Sequence, residues 1–186
     1  MRTWIGIDPG DRWTGIAVIQ EISKSELRAE TGVIDGQDDI YRAVDLLSTF
    51  LKPRNTGVIV EQYSVRPVGH QWFTKALAVR LIGAIEYVSR KQRCTFTTIP
   101  PGDPNDVVTK MGIDSFIKSV VGNPFRDKRW RHALSAWRVL TIYLQKNEVD
   151  IFRRLRSRAV RYYDLDNLIF LIGDMDLWSR PIVWRT

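Results

Sequence analysis

Trp4-Ile5-Gly6-Ile7-Asp8-Pro9-Gly10-Asp11-Arg12-Trp13-Thr14-Gly15-Ile16-Ala17-Val18-Ile19 reads as a buried strand, a tight Gly/Pro turn and a second strand. The first apolar run stops at a single acid, Asp8. An ionised carboxylate closing a hydrophobic strand is costly unless something compensates for it, and a bound cation is one such compensation. The plain alternative is a surface turn opening on Asp-Pro-Gly.

A second lone acid bears on that choice. In Gly57-Val58-Ile59-Val60-Glu61-Gln62-Tyr63 an apolar run too short for a globular helix again ends in one carboxylate, Glu61. Acids that end two strands can converge at one end of a sheet. Convergent carboxylates with open positions suit Mg²⁺ or Mn²⁺, and paired metals can clamp the attacking and leaving oxygens of a phosphodiester.

The 186 residues fit one domain whose core needs no disulfide or metal to hold it. Cys94 is the single cysteine, so no internal disulfide can form and a reducing cytoplasm is the expected location. Met1 and Arg2 lead straight into a strand, and no apolar run approaches the roughly 20 residues of a membrane helix, so no membrane partner is expected. A net charge of +7, from 28 Lys plus Arg against 21 Asp plus Glu, favours a polyanionic partner. The 7 tryptophans add to this where they lie exposed beside arginine, because such rings stack on unpaired bases; most are expected in the core.

Outward from the opening stretch, Gln20 to Arg28 is polar and reads as a hairpin connection, and Ala29 to Ile34 as a third strand ending near Asp35-Gly36. From Asp38 an amphipathic helix carries Ile40, Ala43, Val44, Leu47, Phe50 and Leu51 on one face until Pro53 stops it. It crosses over to the strand ending at Glu61. A loop from Tyr63 to Gly69 precedes a long helix from about His70 to Arg90, where Ala78, Gly83 and Ala84 would let another helix approach closely. A strand follows at Cys94 to Ile99, then short helices at Asp106 to Met111 and Asp114 to Val121, then a helix from about Lys128 to Lys146. This order gives an α/β mixed sheet, an antiparallel three-strand meander plus parallel strands, with helices on both sides. The chain divides into a main domain over 1–146 and an arginine-rich helical extension over 147–186, packed on the same domain.

Ile5-Gly6-Ile7-Asp8-Pro9-Gly10 with Thr14-Gly15 resembles the first catalytic motif of RuvC-like Holliday junction resolvases, members of the ribonuclease H-like superfamily. Val58-Ile59-Val60-Glu61-Gln62 is similar to the second, where a strand ends in a metal-binding Glu. Lys75-Ala76-Leu77 and Arg80-Leu81-Ile82-Gly83-Ala84 resemble the helix at the family's dimer interface, and Pro100, Lys118 and Gly122-Asn123 the basic stretch before the last catalytic helix. His132-Ala133-Leu134-Ser135-Ala136 resembles the His-x-x-Asp-Ala form of the last motif, with Ser135 in place of the Asp. The likeness covers most of residues 3 to 144.

The resemblance implies a ribonuclease H-like five-stranded sheet and metal-dependent hydrolysis of four-way or other branched DNA, the compact size suiting a bacteriophage-type member in a host cytoplasm. Asp8, Glu61 and His132 become the expected catalytic and metal-binding residues, with Mg²⁺ as cofactor and Mn²⁺ as substitute. Arg12, Arg66, Lys75, Lys118 and Arg131 are expected on phosphates, and Tyr63 and Trp72 where the family stacks an aromatic on DNA. Two nicks need two sites, hence an expected homodimer.

Ser135 departs from the pattern, because a hydroxyl is a weaker ligand than a carboxylate for a hard cation. Three readings stand: His132 suffices with a water in the missing place; Asp127, Asp164 or Asp166 compensates; or the chain binds branched DNA with little cleavage. A phosphotransferase of the actin-like class would share the opening Asp and Gly turn, but it needs further Gly-rich phosphate loops, which the sequence lacks after residue 60.

Overall fold

The opening stretch forms two of three antiparallel strands, β1 (Arg2–Asp8), β2 (Trp13–Ser23) and β3 (Glu26–Asp35). The structure is a computed structural model that describes residues 1–36, 39, 41–63, 72–100, 129–158, 170–172, 176–178 and 182–185. After the meander come α1 (Arg42–Phe50), β4 (Thr56–Glu61), α2 (Trp72–Lys91) and β5 (Thr95–Ile99). β4 runs parallel to β1 and β5 parallel to β4, which gives a five-stranded mixed sheet in the order β5-β4-β1-β2-β3. Two further helices follow, α3 (Trp130–Asn147) and α4 (Val149–Arg158).

Period-2 alternation along the strands sorts the core onto two faces. Ile5, Ile7, Ile16, Val18, Val58 and Val60 pack with Leu47 of α1 and Leu81 and Ile85 of α2. Trp4, Ala17, Ile19 and Ile59 face the other way, onto Ala136, Trp137 and Leu140 of α3 and Ile151 and Leu155 of α4. Burying each large aliphatic side chain contributes roughly 1.5–3 kcal/mol.

The hairpin differs from its sequence reading. Gln20 to Arg28 is strand rather than connection, with only Lys24 and Ser25 at the turn. The charge of Glu21 is satisfied where it stands: it takes Arg2 at 2.9 Å and Arg154 of α4 at 2.6 Å, while Leu27 and Ala29 are buried beneath. These two arginines hold the Glu21 carboxyl below its ordinary value against the opposing effect of burial.

The C-terminal stretch, expected as an arginine-rich helical extension, carries α4 and then three short strands. β6 (Phe170–Ile172) pairs with β7 (Asp176–Trp178), and β7 and β8 (Ile182–Arg185) both pair with β3, adding to the sheet beyond its meander. The expected short helices at 106–111 and 114–121 lie outside the described residues. Among the described residues no helix is long and apolar enough to cross a membrane.

Candidate active site

Parallel pairing of β1 with β4 aligns Gly6 with Ile59 and Ile7 with Val60, so one residue further Asp8 and Glu61 stand side by side at the strand ends. Both share the strand parity of Gly6 and Ile59, the face covered by α3. Two acids 53 positions apart thus meet because each ends its strand in the same register.

The third group arrives because α3 comes very close. A Cβ at Gly6 would collide with the Ala136 carbonyl and lie 2.6 Å from Leu140 Cβ, and one at Gly15 would collide with the His132 carbonyl. Only glycine leaves room for helix backbone there. The result is a 2.8 Å hydrogen bond between His132 Nδ1 and Asp8 Oδ2. A carboxylate only accepts, so Nδ1 donates and Nε2 keeps its lone pair for a proton or a metal.

The electrostatics follow from crowding two acids on a half-buried face. Burial pushes the Glu61 carboxyl up to about 7, helped by the charge of Asp8 and a hydrogen bond to it; Arg138 and His132 pull weakly the other way. Burial also raises the Tyr63 phenol, with the Asp11 and Asp8 carboxylates adding to the effect. Arg138 sits six residues after His132 on α3 and is partly exposed. The sequence gives it no role, because a spacing of six on a helix does not place it on the His132 face.

Two carboxylates suit a hard divalent cation, and a positive charge here would offset the burial and the neighbouring Asp8 charge that raise the Glu61 carboxyl. Among the described residues no three acidic, histidine or cysteine side chains stand together so as to hold a metal ion, so the pair Asp8 and Glu61 is the part of the cluster to weigh. The residues fit an open site of the kind Mg²⁺ favours, with one or two carboxylates and most of its water retained.

Arg12 and Trp13 flank this cluster. The Arg12 guanidinium lies 5.0 Å over the Trp13 ring, and the Trp13 and His132 rings meet edge-on with centroids 6.2 Å apart. Arg131 is exposed at the start of α3, and Ser135 is one turn beyond His132. Trp72 and Lys75 fall in the first turns of α2. Arg66, Lys118, Asp127, Asp164 and Asp166 lie outside the described residues.

Sheet order, crossovers and strand-end acids define a ribonuclease H-like α/β fold. Neither a protein-family model nor a curated protein matches the sequence. Solved structures do match: a Thermus thermophilus RuvC structure is 17% identical with a TM-score of 0.51, covering 77% of this chain and 95% of that one. T. thermophilus RuvC in complex with Holliday junction substrate is 14% identical with a TM-score of 0.53, covering 79% and 97%. At these identities the likeness is one of fold, and the fold of this chain is RuvC-like, as the motifs implied.

Proposed function

We propose that this chain is a metal-dependent, structure-specific endonuclease that hydrolyses phosphodiesters in four-way or other branched DNA. The observation that carries the reading is the meeting of Asp8, Glu61 and His132 at one sheet end, beside basic and aromatic side chains, on a RuvC-like fold. The RuvC neighbour in complex with Holliday junction substrate supports the choice of branched DNA.

Mg²⁺, when bound, would supply Lewis acidity and lower the pKa of its water. Asp8 and Glu61 would hold it, and His132 would complete the set or accept the proton of the attacking water at Nε2, its Nδ1 tied to Asp8. Arg12 and Arg131, with Arg66, Lys75 and Lys118, would neutralise phosphates, and Tyr63 and Trp72 would stack on bases opened at the branch point. Exposed Val79 and Tyr87 on α2, with open space at Gly83 between them, support a homodimer through this helix.

Ser135 favours a second reading, a branched-DNA-binding protein with weak cleavage, because it offers no charge one turn from His132. Incubating a labelled four-way junction and a matched duplex with Mg²⁺, Mn²⁺ or chelator separates the two. Paired metal-dependent nicks in the junction alone are expected; binding without nicks would leave the second reading.

A further inference from the structure

Asp35 is only 3% exposed, and a buried carboxylate requires partners. It stands opposite Trp13 in the β2–β3 register and accepts Trp13 Nε1 at 3.1 Å, with Arg12 Nε and Nη2 each at 3.4 Å. The indole is therefore held at its nitrogen by Asp35 and covered on its face by Arg12. It meets the His132 ring at an interplanar angle of 62°. Gly10 closes the ring's surroundings: a Cβ there would lie 3.0 Å from His132 Cε1.

We propose that Asp35 and Trp13 are positioning residues for His132: Asp35 locks the indole, the indole fixes the imidazole plane, and the fixed plane keeps Nδ1 on Asp8. The proposal rests on the role given above to His132. Rotation of an imidazole about its terminal side-chain torsion is intrinsically soft, so the 2.8 Å bond to Asp8 alone leaves the plane free to swing. A neighbouring ring anchored at its nitrogen and covered on one face restricts that freedom. Arg12, sharing the carboxylate, is ordered by the same contact and faces solvent with 46% of its side chain.

The test uses Trp13→Leu, Trp13→Phe and Asp35→Asn in the full chain. In chelator, ¹⁵N shifts of the His132 ring report its tautomer without any metal; the chain has two histidines, so His70→Gln assigns the signal. The wild type should show one Nδ1–H form, Trp13→Leu and Asp35→Asn a mixture, and Trp13→Phe an intermediate pattern. On junction substrate, Trp13→Leu should lower kcat about 10- to 100-fold, a larger change than in junction affinity, and Trp13→Phe should recover part of the loss. Should Trp13→Leu fail to fold by circular dichroism, Trp13→Phe and Asp35→Asn carry the same comparison. An unchanged tautomer in every folded variant, or kcat kept within about twofold, would overturn the proposal. If the wild type cuts no junction, the nuclease reading fails, and the tautomer still decides this inference.

Discussion

Glu61→Gln should make the metal-free protein more stable while abolishing cleavage. Glu61 is forced against Asp8 on a half-buried face, and its carboxyl rises from an ordinary 4.5 to about 7. At about 1.36 kcal/mol per pH unit that rise corresponds to ~3 kcal/mol, which partial solvent exposure reduces to about 1–2 kcal/mol. The sign follows from linkage: a carboxyl raised on folding costs nothing below 4.5, where both states are protonated, and costs its full amount above about 7, where ionisation is forced on the folded state. Glutamine keeps the shape, donates to Asp8 and carries no charge. With about 2–4 °C per kcal/mol for a domain of this size, Tm in chelator at pH 8 should rise by about 2–8 °C in the variant. At pH 4 the two proteins should melt together, and added Mg²⁺ should raise the wild type toward the variant. Circular dichroism melts at both pH values decide it; no gain at pH 8, or an equal gain at pH 4, would refute the reasoning.

Gly15→Ala would drive a methyl group into the His132 carbonyl and to within 2.7 Å of the Ala133 nitrogen, backbone that cannot rotate aside. Denaturant unfolding should show a loss of about 1–3 kcal/mol, and cleavage should fall further than folding alone explains. Arg131→Ala should weaken junction binding equally across sequences and reduce the slope of log affinity against log salt by about 1, measured by fluorescence anisotropy. Ser135→Asp adds a carboxylate one turn from His132; it should lower the Mg²⁺ concentration needed for half-maximal cleavage, and an unchanged Mg²⁺ dependence would show that this position does not reach the metal.

Asp8 and Glu61 are legible because a short apolar run ending in one acid announces both a buried strand and its odd residue. Their meeting needed only the parallel crossover that the intervening helix implies. His132 came from motif resemblance, since a histidine on a helix says nothing of the strand it will face. What brings it to Asp8, glycines at 6 and 15 that admit a helix backbone, is invisible until α3 is laid on the sheet. The sequence places Asp35 only at the end of the third strand, because its pairing with Trp13 depends on a register set by the far end of the hairpin. The polar composition of that hairpin hides its strands, because the charge of Glu21 is neutralised only in the fold, by Arg2 and Arg154. β6, β7 and β8 span only three or four residues each, too short for any alternation to register.

The most direct measurement sets the wild type beside Asp8→Asn on a labelled four-way junction, with cleavage followed in Mg²⁺ and binding in chelator. Asp8 touches His132 and raises Glu61, so its neutralisation should remove metal-dependent nicking while junction affinity stays intact. Nicking by Asp8→Asn at the wild-type rate, or loss of binding together with cleavage, would contradict the assignment of this sheet end as a nuclease centre.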